Sequence, residues 1–411
     1  MGLLTIVLVS CFFLVNIIPI LVGIAAFGNA PSSVIPAILL ISVIGAISAY
    51  NFSLLGRICD ETGAQSYREA WDATVGKSTS WMTAFSSTFS CLGANLAYSM
   101  ILADTFQNLL ESVGVILTRT QTLLGVTGFV ITPLCLLKDL SSLAPFSLLG
   151  IMGMVYTAVA MVYRYLDGSY AAPSGKFLES VMAQPTFGTN GASSVLSPSS
   201  FILISMLSSA YMAHFNAPKF YNDLIDRNIP KFNIVVNTSF GISIALFCIM
   251  AGVGFLTFGG SSNGLILNNY SNGDKVMSLS SIAVALSIVF SYPLVFVGTR
   301  DGLLDLANVS VNQRSNSLLS QVTLGGLVVI SIGAIVLNDV SFVLSFAGAT
   351  LGNALIYIFP ALMFRRMVQK MDDKAKQASL KNEVIYAMCS CYLGVVMGMI
   401  GAGMSILSLS A

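Results

Sequence analysis

Eleven apolar runs recur from one end of this chain to the other, each close to the roughly 20 residues that an α-helix needs to cross the hydrocarbon layer of a bilayer. Between polar breaks they cover about 2–27, 33–56, 80–109, 119–137, 142–165, 200–222, 232–258, 277–304, 317–337, 341–364 and 384–408. Segments of this kind must pair every backbone polar group internally once they leave water, and a helix does so without a neighbouring strand. The expected fold is therefore an all-α polytopic membrane protein. Composition agrees, since 9% of the 411 residues are charged and 55% are hydrophobic, whereas a soluble domain carries about 25% charged residues.

Several function classes drop out at once. A net charge of +1 without basic clusters in a soluble domain argues against a nucleic-acid partner. The seven cysteines fall mostly inside apolar runs, and with a single histidine they form no zinc-ligand spacing; no metal site and no cofactor is expected beyond a sodium ion or proton used for coupling. An intramembrane enzyme would need paired carboxylates or a Ser/His arrangement at membrane depth, and a channel would need charged rings or a filter sequence. Neither pattern is present in the sequence. The partners expected are the lipid bilayer and a small solute; the oligomeric state is left open.

Orientation follows from Lys and Arg. With the N-terminus in the cytoplasm, fifteen of the 19 basic residues fall inside and four, Arg119, Arg164, Lys176 and Lys275, fall outside, as the positive-inside bias requires. An odd number of spans then puts the C-terminus on the extracellular or lumenal side. Plasma membrane and vacuolar or lysosomal membrane fit this topology equally.

The whole chain, residues 1–411, reads as one transmembrane domain. A Gly/Ser/Pro-rich outer loop over about 166–199 divides the first ten spans into five and five, about 1–165 and 200–364, with an extra helix over 384–408. Many transporters consist of two inverted halves, with the binding site where the first helix of each half is interrupted. Asn269-Tyr270-Ser271, in the next outer loop, is an N-glycosylation sequon with occupied and empty states equally open.

Span six is the one that breaks its own pattern. The stretch SSAYMAHFNAPKFYNDL, from Ser208 to Leu224, puts the only histidine, an asparagine and a proline into a helix apolar enough for lipid. At 1.5 Å per residue, His214 and Asn216 lie roughly 20 Å along that helix, past the midplane, with Ser208, Ser209 and Tyr211 closer to it. Irregular polar backbone survives at that depth where it lines a cavity. These five residues are the candidate substrate site, with Pro218 expected to interrupt the helix; a packing histidine bonded to a neighbouring helix is the competing reading of His214.

TGAQSYREAWDATVGK, CLGANLAYSMILADTF, PLCLLKDLSSLAPFSLLGI, AYMAHFNAPKFYNDL and SIVFSYPLVFVGTRDGLLDL, in this order and spacing, resemble the amino acid/auxin permease family, closest to its system A/N-like carriers of neutral amino acids. That resemblance implies a LeuT-type five-plus-five inverted repeat with discontinuous helices one and six, and sodium- or proton-coupled transport of amino acids. It also implies that Tyr98 in span three faces the site and that Ser291 in span eight contributes to a sodium site, although a hydroxyl bonded to its own helical turn is an equal reading of Ser291. Asp104, nearer the outer end of span three, either takes up a cation or proton or simply lies at the interface.

Span one departs from the family pattern. Gly23, opening the matching GIAAFG, is its one substrate-site candidate, yet no glycine lies between Gly2 and Gly23, and only Asn16 and Pro19 could interrupt the helix. Intron or upstream sequence standing in for the true first exon explains this; a divergent or inactive relative and an uncleaved signal anchor are the alternatives. The function expected is secondary active transport of amino acids by alternating access, with a membrane amino-acid sensor or transport-inactive relative as the rival.

Overall fold

The computed structural model describes residues 30–137, 144–181, 184–189, 200–263, 265–307, 309, 313–337 and 339–410. The first apolar run, with Asn16, Pro19 and Gly23, lies outside the described residues.

Helices account for nearly all of the structure: α1 (Val34–Thr62), α2 (Tyr67–Thr74), α3 (Trp81–Ser112), α4 (Arg119–Val126), α5 (Thr132–Cys135), α6 (Ala144–Leu166), α7 (Ser200–Ala210), α8 (Ala217–Asn222), α9 (Ile229–Phe258), α10 (Lys275–Leu306), α11 (Asn316–Val336), α12 (Val340–Ala347), α13 (Phe359–Gln369), α14 (Lys374–Ser379) and α15 (Lys381–Ser410). The only bridge among the described residues joins Thr186 to Gly259. Among the described residues, seven helices are long and apolar enough to cross a membrane. Spans three, four and six fall short for visible reasons. Polar side chains such as Thr88, Ser90 and Asn95 line the buried face of α3, the helical run of span four covers only Arg119–Cys135 even with its π turn over Thr127–Ile131, and span six is split.

The ends of the elements follow their local chemistry. Asp274, Asp339, Ser315 and Asn228 cap α10, α12, α11 and α9 by accepting from first-turn backbone N–H groups. Gly63, at φ 70°, closes α1 in the left-handed conformation that an L side chain resists.

Close helix packing uses small residues, as expected where lipid supplies no hydrophobic drive between helices. α10 lies along α3 and α6, and α9 lies along α1. Gly298 and Gly302 on α10 face Cys91 and Thr88 on α3, and a Cβ at Gly298 would sit 2.8 Å from Cys91 Sγ.

The start of α10 is held in a bonded cap. Asp274, fully buried, accepts from Arg164 Nη2 at 2.6 Å and Tyr170 Oη at 3.0 Å while it caps α10. Burial, reinforced by the Asp274 carboxylate, holds the Tyr170 proton well above the usual phenol range. Asn269 of the sequon is also turned inward: it is 3% exposed, accepts from Asn263 N at 2.7 Å and donates to Ser261 O at 2.8 Å. Asp104 is paired: Arg119 Nε donates to it at 2.6 Å, and Arg119 Nη1 reaches the Ala334 carbonyl at 2.8 Å.

Candidate functional site

Span six is interrupted where its sequence turns polar, but upstream of its proline. α7 ends at Ala210, Tyr211–Ala213 have no helical structure, a 3₁₀ turn covers His214–Asn216, and α8 then runs from Ala217. Ala213, at φ −126° and ψ 3°, lies outside the helical region just before that 3₁₀ turn. Pro218 lies in the first turn of α8, where its missing N–H has no helical partner to lose. The interruption expected at Pro218 is therefore displaced towards Ala213, because proline at a helix start preserves helix instead of breaking it.

A broken helix leaves terminal carbonyl and N–H groups to be paired elsewhere. Some are recovered locally: Tyr211 N donates to Leu207 O at 2.9 Å, Met212 N to Ser209 O at 3.2 Å and Asn216 N to Ala213 O at 2.9 Å. The side chains are held by three different neighbours. Tyr211, fully buried, donates to the Ile41 carbonyl of α1 at 3.2 Å and packs on Phe240 and Phe247 of α9. Ser209 Oγ donates to the Leu344 carbonyl of α12 at 2.5 Å. Ser208 Oγ donates back to Ile204 O at 3.1 Å.

His214 is fully buried, with its ring centroid 5.3 Å from that of Phe52 in an edge-to-face arrangement. Its Nε2 lies 2.9 Å from the Ser48 carbonyl. A carbonyl only accepts, so Nε2 carries the proton and Nδ1 is left as a bare acceptor. Nδ1 has no hydrogen-bond partner among the described residues, and neither has the Asn216 amide nitrogen. Orphaned polar atoms beside interrupted backbone are what a site for a small polar solute leaves when only protein atoms are counted.

Tyr98 of α3 and Ser291 of α10 come together. The buried Tyr98 hydroxyl interacts with the Ser291 side chain, and its ring centroid lies 6.4 Å from that of Tyr292. Ser291 Oγ donates to Ser287 O of its own turn at 2.7 Å, the arrangement of an ordinary helix hydroxyl, and keeps lone pairs for a cation. Tyr292 Oη pairs with Ser99 at 3.0 Å. The five span-six candidates and the Tyr98–Ser291 pair are thus two sets, and α12 lies against both helices: Ser209 binds Leu344, and a Cβ at Gly93 would lie 3.5 Å from Ala347 Cβ. Gly23 lies outside the described residues.

Span ten supplies what sequence reasoning missed. Between α12 and α13 it forms two π turns, Gly348–Gly352 and Ala354–Ile358, the second carrying the fully buried Tyr357. The available signal was a pair of glycines with Asn353 and Tyr357 in an otherwise apolar run. Where α8 meets the end of α1, Tyr221 donates to Asp60, and Asn222 Nδ2 donates to Ala64 O at 2.9 Å.

Comparison with known proteins agrees with this geometry. The family model for "Transmembrane amino acid transporter protein" matches residues 24–407. The chain is 25% identical over 349 residues to amino acid transporter AVT6E of Arabidopsis thaliana, covering 80% of this chain and 69% of that one. It is 24% identical over 375 residues to sodium-coupled neutral amino acid symporter 2 of Danio rerio, covering 86% and 73%. Among solved structures, Mhp1, a nucleobase-cation-symport-1 family transporter in a closed conformation with bromovinylhydantoin bound, superposes with a TM-score of 0.60 at 10% identity over 100% of this chain and 92% of that one. That likeness shows the fold, the all-helical LeuT-like arrangement expected from the sequence.

Proposed function

Since the chain belongs to the transmembrane amino acid transporter family, we propose that it is a secondary carrier that moves neutral amino acids across its membrane by alternating access, driven by a sodium or proton gradient. The observation that carries this reading is the interrupted sixth span, where the helix opens at Tyr211–Ala213 and leaves His214 Nδ1 and Asn216 Nδ2 buried without a hydrogen-bond partner among the described residues.

A zwitterionic amino acid carries one donor end and one acceptor end. Backbone carbonyls released at the end of α7, with the Ser208, Ser209 and Tyr211 hydroxyls around them, suit the ammonium end; Asn216 and the bare Nδ1 of His214 add a donor and an acceptor. Gly23, in the first apolar run, is the partner for the carboxylate end in this proposal, and the two inverted five-helix repeats meet at that point. Tyr98 and Ser291 form the opposite wall, with Ser291 as an oxygen ligand if sodium is the coupling ion. The bonds from α8 to Asp60 and Ala64 would have to part when the site opens to the cytoplasm. Coupling needs only that ion and substrate together favour one of two states by more than either does alone.

Purified protein in liposomes tests this. Labelled alanine or glutamine should accumulate against its gradient when sodium or protons are higher on the loading side, and an ionophore should abolish accumulation. Saturable binding without accumulation under either gradient would instead support the sensor reading, which the departure of the first apolar run from the family pattern motivates.

A further inference from the structure

Span ten shadows the broken helix through the whole of its interruption. Leu344 accepts from Ser209 at 2.5 Å. Gly348 sits against the Ser205 carbonyl and Ser209, and a Cβ built on Gly352 would lie 3.7 Å from both Ser208 O and Met212 Sδ. One step further on, the Tyr357 hydroxyl interacts with Ser208 and lies 3.3 Å from Ser48 Oγ.

That series is impossible for a plain α-helix. Tyr357 follows Leu344 by thirteen residues, about 3.6 turns at 3.6 residues per turn, which would aim it roughly 220° away from the Leu344 face. Each π turn takes up one extra residue. With the first, Gly348–Gly352, wholly before Tyr357 and the second, Ala354–Ile358, enclosing it, the thirteen residues behave as about eleven to twelve, and Tyr357 is turned back by roughly 100–200° towards that face. The two wide turns set the register of this one side chain.

What Tyr357 then touches spans the break. Ser208 lies in α7, before it. Ser48, on α1, donates its hydroxyl to Ile44 O at 2.8 Å, and its carbonyl accepts from His214, after the break. We propose that Tyr357 is a positioning residue for the site: beside Ser208 of α7, its hydroxyl donates to Ser48 Oγ at 3.3 Å, the residue whose carbonyl holds His214, and so keeps that anchor in place against the first half of span six. This rests on the carrier reading for its functional consequence, but not for its structural one.

Two readouts test it on the full-length protein. Tyr357→Phe removes the hydroxyl and little else. Its expected effect is a rise in KM for the transported amino acid of about three- to tenfold, the loss of one buried hydrogen bond, with Vmax within about twofold. Hydrogen–deuterium exchange across residues 208–217 should rise by a similar factor while α9 and α10 stay unchanged. Deleting Thr350, which removes one π turn's extra residue, should reproduce the local exchange signature more strongly by rotating Tyr357 off the face. Wild-type KM with wild-type exchange at the break in Tyr357→Phe would overturn the proposal, and so would a uniform rise in exchange over all helices. If the wild-type protein accumulates no amino acid, the carrier reading fails, and exchange at residues 208–217 still decides this inference.

Discussion

Spans six and eight contain similar words and fold differently. Both place serine and tyrosine ahead of a proline, SSAY before Pro218 and SY before Pro293. Yet α10 continues through Pro293 from Lys275 to Leu306, whereas span six opens at Tyr211, seven residues before its proline. Proline therefore does not decide where these helices break. In α10 the freed carbonyl one turn back is tolerated inside a helix clamped along its length by α3 and α6. In span six the side chains at the interruption are pulled in three directions, Ser209 to α12 and Tyr211 and His214 to α1 and α9. Lateral tethers set the break, and a continuous clamp suppresses it.

The sharpest way to break that comparison is through glycines. A Cβ at Gly348 would meet backbone atoms of α7, the Ser205 carbonyl and, at 2.9 Å, Ser209 N, neither of which can rotate away. A Cβ at Gly298 would meet Cys91 Sγ, the end of a side chain. Gly348→Ala should therefore cost about 2–3 kcal/mol and most of the transport, and Gly298→Ala less than about 1 kcal/mol. Thermal unfolding in detergent with parallel uptake measures both. Equal losses would mean that span ten presses on the broken helix no harder than α10 presses on α3.

Next in size is the histidine tether. His214→Ala removes a buried ring and its bond to the Ser48 carbonyl, an expected loss of about 2 kcal/mol. His214→Gln retains an N–H that can reach the same carbonyl and should recover roughly half of that loss. If alanine and glutamine behave alike in melting and uptake, the hydrogen bond contributes nothing to holding the break.

The helices themselves were legible because hydrophobic length is a direct consequence of bilayer thickness, and the described helices coincide with the second to eleventh apolar runs. The location of the break was legible too, since His214 and Asn216 stand out against FILISML. Its cause was not: Ala213 has no compositional signature, and it leaves the helix because of neighbours far away in the chain. The π turns were hidden for the same reason. Gly348, Gly352 and Tyr357 suit an α-helix equally well, and only the opposing backbone of α7 selects the wider form. Pairing of Asp104 with Arg119 escaped notice because it joins two helices across a turn, and inward rotation of Asn269 because a sequon reports sequence and not exposure.

On span eight, Ser291→Ala sharpens the contrast by separating wall from site. Ser291 bonds to its own turn at 2.7 Å, so its loss should leave melting within about 0.5 kcal/mol. With sodium coupling, the sodium concentration for half-maximal uptake should rise by about threefold or more, one hydrogen-bond-sized contact. An unchanged sodium dependence, with transport intact, would assign Ser291 to the helix alone.

The smallest expected effect is at Pro218, the residue that looks most disruptive. In the first turn of α8 its ring is compatible with helical φ and its missing N–H had no acceptor within the helix, so Pro218→Ala gains no hydrogen bond and loses only rigidity in the unfolded chain. The expected change is under about 1 kcal/mol, with KM unaltered. Pro293→Ala, in contrast, supplies an N–H where the helix interior can use one, and should stiffen α10 measurably by hydrogen exchange. If instead Pro218→Ala closed the break, raising protection across Tyr211–Ala213 and abolishing uptake, the proline would be the breaker after all, and the tethers from α1, α9 and α12 would be followers of a kink they did not make.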